Sequence, residues 1–293
     1  MNSIALFVMG KKGLVCLDTI LNTSSVELKF VVYATDKNVE NDYSDEIITL
    51  CDKRNIRYYH RELFDEKSLK DVSYYIAISW RWLIKSSLEK LIVFHDSLLP
   101  KYRGFNPLVT ALINGDEEIG VTAIFANKEF DKGDVLDLEK TTIKYPIKIS
   151  QAIEVISICY QNLLLKIINK ISDNSLRATS QDETNATYSL WRDEEDYFID
   201  WNSDALVLER TINALGFPYG GARTIMENKI IILDEVKLIP DLIIENRTPG
   251  KILFLENNQP TIVCKSGLLK IQRAHYFENG NDVVFNKFRT RLK

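Results

Sequence analysis

The chain is poor in the residues that build metal centres and disulfide frameworks, with 3 His, 4 Cys and 12 Gly among 293 residues. Cys16, Cys51, Cys159 and Cys264 fall at no paired spacing. That excludes a zinc ribbon and a disulfide-stapled scaffold, and it suits reduced thiols in a cytoplasmic protein. An excess of positive charge is also missing. The 37 Lys and Arg against 41 Asp and Glu leave a net charge of −4, which argues against a nucleic-acid partner, because polyanion binders present a basic face. No apolar run approaches the roughly 18 residues of a membrane span, and no basic segment precedes the first apolar run, as a secretory leader would require. Gly10 and Gly13 lack the G-x-G-x-x-G spacing of a dinucleotide fingerprint, so no nicotinamide site is read.

What is present is an alternation of short apolar runs with helical periodicity. Ile4-Ala5-Leu6-Phe7-Val8-Met9 is continuous and apolar, as a buried parallel strand reads, and Leu14, Val15, Leu17, Ile20 and Leu21 follow at helical spacing. Further strands are predicted over 28–34, 56–59, 74–79, 91–94 and 120–126, with helices over 43–54, 107–113 and 153–171. Strands and helices alternating at this spacing predict an α/β fold with a mostly parallel, Rossmann-like sheet in an N-terminal domain. Residues 172–187 are polar and read as a linker. Beyond them, a helix over 205–215 and five short strands separated by Gly, Asn and Pro predict a smaller, mainly β, barrel-like domain. The expected division is 1–180 and 181–293.

The chemistry concentrates in two places. His95 leaves the apolar run Leu91-Ile92-Val93-Phe94 and opens the turn Asp96-Ser97-Leu98-Leu99-Pro100-Lys101-Tyr102-Arg103-Gly104. A strand exit is where open α/β proteins place reactive groups, and a neutral imidazole accepts a proton near neutral pH. Downstream of a second strand, Phe130-Asp131-Lys132-Gly133-Asp134 supplies a carboxylate that can steady an imidazolium. Taken singly, each has a plainer reading, His95 as a structural histidine and Asp131 as a turn residue. His60 and His275 carry no motif. No His/Cys cluster has metal-ligand spacing, so no metal is expected.

The pattern His95-x-Ser97-Leu98-Leu99-Pro100-x-Tyr102-Arg103-Gly104, with Gly115-Asp116, Gly120-Val121-Thr122 and Asp131-x-Gly133-Asp134, resembles the formyltransferase domain shared by methionyl-tRNA and sugar-nucleotide N-formyltransferases. The likeness is dense over 91–136 and looser over 4–171. It extends to the second domain through Ile199-Asp200-Trp201 and Pro218-Tyr219-x-Gly221-Ala222. The resemblance implies acyl transfer onto an amine, with His95 and Asp131 as the catalytic pair. The family's third catalytic residue, an Asn that bonds the formyl oxygen, falls on Val93. Losing one such donor costs about 10²–10³ in rate.

Because valine offers only an apolar wall, an acetyl group from acetyl-CoA is the expected donor, with N10-formyltetrahydrofolate as the alternative. The expected activity is that of a sugar-nucleotide N-acyltransferase in surface polysaccharide (O-antigen) synthesis. Its acceptor would be a nucleotide-linked amino sugar, the family's common pattern being a 4-amino-4,6-dideoxy sugar. A catalytically silent binding relative is the competing class, against which the retained His95 and Asp131 speak. Val93, Trp80, Trp82, Ser97 and Leu99 are the candidate donor-pocket residues. Lys11, Lys12, Arg81 and Arg103 offer cations for a pyrophosphate, and the resemblance adds Tyr219 as an acceptor contact. It also admits a homodimer through the smaller domain.

Overall fold

The computed structural model describes residues 2–65, 72–84 and 90–293. In chain order the elements are β1 (Ser3–Val8), α1 (Gly10–Leu21), β2 (Glu27–Tyr33), α2 (Ser44–Lys53), β3 (Tyr58–His60), β4 (Tyr74–Ile78), β5 (Leu91–His95), β6 (Arg103–Gly104) and α3 (Pro107–Asn114). There follow β7 (Glu118–Phe125), β8 (Val135–Thr142), α4 (Ile149–Ser172), β9 (Tyr188–Ser189), α5 (Ala205–Leu215), β10 (Ala222–Met226), β11 (Lys229–Ile239), β12 (Ile252–Glu256), β13 (Gln259–Val263) and β14 (Leu268–Tyr276).

The chain divides into two compact units. The first comprises Met1–Leu108, Glu117–Ile143 and Ala152–Trp191, and the second Val109–Asp116, Lys144–Gln151 and Arg192–Lys293.

The first unit holds a mixed sheet in the order β3-β2-β1-β4-β5-β7-β8. Its first five strands run parallel, while β7 and β8 are antiparallel additions at the β5 edge. β1 is buried along its whole length, as a central strand covered on both faces requires. β8 escapes sequence reading because Val135-Leu136-Asp137-Leu138-Glu139-Lys140 offers too few apolar residues to stand out. It is an edge strand, so water takes one face and charged side chains are tolerated there. In the second unit β10-β11-β14-β13-β12 form an antiparallel sheet on which α5 packs.

α4 is the one helix among the described residues whose length and composition would suit a membrane span. Its apolar stripe is instead used internally. Ile156, Tyr160, Leu163, Leu164, Ile167 and Ile168 are all buried. The helix meets β5 through the Phe94–Tyr160 ring pair, α1 through Gln161 to Thr19, and β8 through Lys170 to Asp137. The four cysteines are buried and unpaired. Burial pushes their thiols up, to about 12 for Cys51 and Cys264, so they stay protonated and inert. Leu164→Ala should remove about 2–5 kcal/mol of unfolding free energy, read by denaturant titration; a loss near zero would mean this stripe is not core.

Candidate active site

β5 delivers His95 to the sheet edge, where it lies opposite Thr122 of β7. Phe125 lies opposite Ile92, so the loop after β7 starts about 10 Å back along β5. It must run forward again to carry Asp131 to the imidazole, and it does. His95 Nδ1 is 3.4 Å from Asp131 Oδ1. His95 Nε2 lies 2.8 Å from the Tyr102 carbonyl oxygen. A carbonyl only accepts, so Nε2 carries the hydrogen in that contact and Nδ1 is the atom left for proton exchange beside Asp131. The imidazole is buried and Asp131 is half-buried. The backbone carbonyl therefore fixes the tautomer.

Asp131 is itself gripped. Its Oδ2 accepts the Gly104 amide at 2.8 Å, and its backbone sits at φ +56°, in the left-handed region where Asp is among the better-tolerated residues. Gly133 permits the turn to lie against β7, since a Cβ there would fall 1.6 Å from the Phe125 carbonyl oxygen. The turn after His95 is equally tied down. Thr122 Oγ1 donates to the Ser97 carbonyl at 2.6 Å and accepts the Leu99 amide at 3.1 Å. Ser97 Oγ donates to the Lys101 carbonyl at 2.6 Å.

On the α4 side, Asp96 bonds Lys12 Nζ and the Tyr160 hydroxyl. Burial acts to raise the Asp96 carboxyl. The Lys12 charge, with hydrogen bonds from Lys12 and Tyr160, outweighs it and holds the group below its ordinary value. Burial and the Asp96 charge push the Tyr160 hydroxyl up, so it remains a donor.

Several expected site residues are already paired or packed within the fold. Arg103 has no exposure and is bonded to Gln181 and Glu183, so it is not a substrate-facing cation. Ser97 and Leu99 are buried and brace the turn. Lys12 is committed to Asp96 and Lys11 pairs with Glu154 at 3.1 Å. Arg81 is exposed but pairs with the buried Asp36 at 2.6 Å. Val93 and Trp80 pack on the cluster of Phe7, Phe30, Tyr75 and Leu91. Trp82 stacks edge-on against Trp80 and under the Arg61 guanidinium, 4.3 Å away. Tyr219 belongs to the second unit, its amide on the Gly216 carbonyl. There too His275 Nδ1 lies 2.8 Å from Asp234. No group of three or more potential metal ligands exists among the described residues.

The residues that sequence reasoning missed are Gln181, the Tyr102 carbonyl, and the Asp96–Tyr160 bond. The polar 172–187 stretch was expected to be a linker. It is instead part of the first unit, with Gln181 and Glu183 bonded to Arg103 and Thr187 to the Tyr102 amide beside His95's turn. Only its polarity was visible, and polarity does not distinguish bonded side chains from solvated ones.

The formyl transferase family model matches residues 59–153, and the formyl transferase C-terminal domain model matches residues 192–288. This chain belongs to the formyltransferase family. It is 28% identical over 237 residues to the methionyl-tRNA formyltransferase of Buchnera aphidicola subsp. Schizaphis graminum, covering 76% of this chain and 74% of the relative. It is 26% identical over 185 residues to that of Clostridium novyi, covering 63% and 59%. Against the bifunctional polymyxin resistance protein ArnA of Wigglesworthia glossinidia brevipalpis it is 28% identical, covering 92% of this chain and 42% of the relative. The chain thus spans about three fifths and about two fifths of those last two proteins.

Two solved structures share the fold: the sugar 3N-formyltransferase WlaRD in the presence of dTDP and 5-N-formyl-THF (TM-score 0.69, 19% identity, 93% and 97% coverage) and an N-formyltransferase from Helicobacter canadensis with folinic acid and dTDP-3-aminofucose (TM-score 0.71, 18% identity, 93% and 99% coverage). These matches overturn the acetyl-CoA expectation, and with it the acetyltransferase reading. The inference from Val93 failed because its apolar side chain serves the β4–β5 packing cluster, which is reason enough for a valine there.

A carboxylate held below its ordinary value contributes its full stability above the unfolded value and loses it as pH falls through the lower folded one. Lys12→Met leaves the half-buried Asp96 without its cation. Unfolding free energy should drop by about 1–3 kcal/mol near neutral pH, and the deficit should shrink as acid protonates Asp96. Denaturant titrations at both pH values check this, and a pH-independent deficit would contradict it.

Proposed function

We infer that this chain is an N-formyltransferase that acts on the primary amine of a nucleotide-linked amino sugar, with N10-formyltetrahydrofolate as donor. The observation that carries the reading is the His95–Asp131 pair, with Nδ1 facing the carboxylate and Nε2 on the Tyr102 carbonyl, in a chain of this family. The acceptor class is supported by the solved structures that share the fold. The two sugar N-formyltransferase structures are covered to 97% and 99% by this chain, at TM-scores of 0.69 and 0.71. The methionyl-tRNA formyltransferase structure from Clostridium thermocellum gives 0.56 and covers 81% of this chain. Curated sequence relatives favour a tRNA acceptor, but the net charge of −4 does not suit a polyanion.

The residues present fit a flat heteroaromatic donor. Trp80 Nε1 is buried with no partner among the described residues, and Val93 and Ala126 pack on the same apolar cluster. Bound, the donor supplies the formyl carbon. The acceptor amine, neutral when it attacks, forms a new N–C bond, and the donor's own N10–C bond breaks. His95 Nδ1 takes the proton that the amine nitrogen sheds, and N10 of the departing tetrahydrofolate is protonated. Asp131 stabilises the imidazolium. Holding both substrates in register supplies much of the acceleration.

The test is direct. Incubation with N10-formyltetrahydrofolate and nucleotide-linked amino sugars should yield a product heavier by one formyl group, seen by mass spectrometry. His95→Asn should lower kcat by about 10²–10⁴, while the lost bond to the Tyr102 carbonyl should take no more than about 1–3 kcal/mol from the unfolding free energy. Absence of product with every amino sugar, together with formylation of aminoacyl-tRNA, would transfer the reading to the tRNA acceptor.

A further inference from the structure

Gln181 lies 50 positions beyond Asp131 and touches the loop that carries it at two points. Its Nε2 donates to the Asp131 carbonyl at 2.7 Å and to the Gly133 carbonyl at 2.8 Å. Its Oε1 accepts Arg103 Nε at 3.1 Å and Nη2 at 2.8 Å. Arginine only donates and carbonyls only accept, so the orientation of the amide is forced rather than chosen. No other neutral side chain of this length supplies both a double donor and an acceptor. Arg103 is held in turn by Glu183, at 2.9 Å and 2.7 Å. The adjacent Gly104 amide binds Asp131 Oδ2. Backbone and side chain of Asp131 are thus fixed from one scaffold, and the residue is in the left-handed region, which needs outside support to persist.

We propose that Gln181 is a positioning residue for formyl transfer. It clamps the carbonyls of Asp131 and Gly133 so that the Asp131 carboxylate stays within reach of His95 Nδ1, with Arg103 and Glu183 orienting the clamp. The kinetic half of this proposal rests on the functional reading above; the structural half does not.

Gln181→Glu separates clamping from mere support of Arg103. It keeps the length and the acceptor for the guanidinium, and it removes the N–H donors to the two carbonyls. Gln181→Met removes both. In each variant kcat should fall about 10²-fold, the scale of a misplaced catalytic group, with KM within a few-fold of wild type. Deuterium uptake in the 126–135 segment should quicken at least about tenfold, with uptake across α4 unchanged as the control for folding. Wild-type kcat in Gln181→Glu overturns the proposal, and so does wild-type uptake over 126–135. If the wild-type protein forms no formylated product, it is the functional reading that fails. The uptake of Gln181→Glu then decides the clamp by itself.

Discussion

Arg103 is fully buried, and a guanidinium removed from water must find acceptors for its N–H groups or cost the fold several kcal/mol. Glu183 and Gln181 provide them. That requirement draws the 172–191 segment onto the β5 exit, where β9 pairs with β6 and Thr187 bonds the Tyr102 amide at 2.8 Å. With Tyr102 so held, its carbonyl stands 2.8 Å from His95 Nε2. The tautomer of the imidazole and the place of the carboxylate both descend from the solvation needs of one buried cation.

The site is accordingly built from backbone as much as from side chains. The Tyr102 carbonyl, the Gly104 amide and the Asp131 and Gly133 carbonyls hold two ionisable groups at a working separation. Gly133 matters for the same reason, because any Cβ would meet the Phe125 carbonyl. Opposite this network, the Lys12–Asp96–Tyr160 cluster joins the turn after His95 to α1 and α4. A turn anchored on both sides has little freedom to misplace the imidazole.

Much of the fold was legible. The strands β1, β4 and β5 are short, apolar and largely buried, and such runs read the same way wherever a sheet is covered on both faces. His95 and Asp131 stood out because each is a reactive side chain following an apolar run. β8 was illegible because an edge strand can carry charges, and Gln181 because one amide in a polar stretch looks like any other. The pairing of the cations was illegible for the converse reason. A sequence shows the charge of Arg103 or Lys12 but not the carboxylate folded against it.

Val93 shows the limit from the other direction. An apolar residue at a position expected to be polar suggested a change of donor, yet the side chain has a packing role among Trp80, Tyr75 and Leu91 that accounts for it. The order of residues by itself determined the α/β class and the formyltransferase likeness, and it singled out His95 and Asp131 as a pair, because hydrophobic period and short motifs are local properties of the chain. Which nitrogen of His95 is free, which cations are already spent, and which distant amide steadies Asp131 were decided only by the tertiary structure. Hydrogen bonds between residues tens of positions apart leave no periodic trace in the sequence.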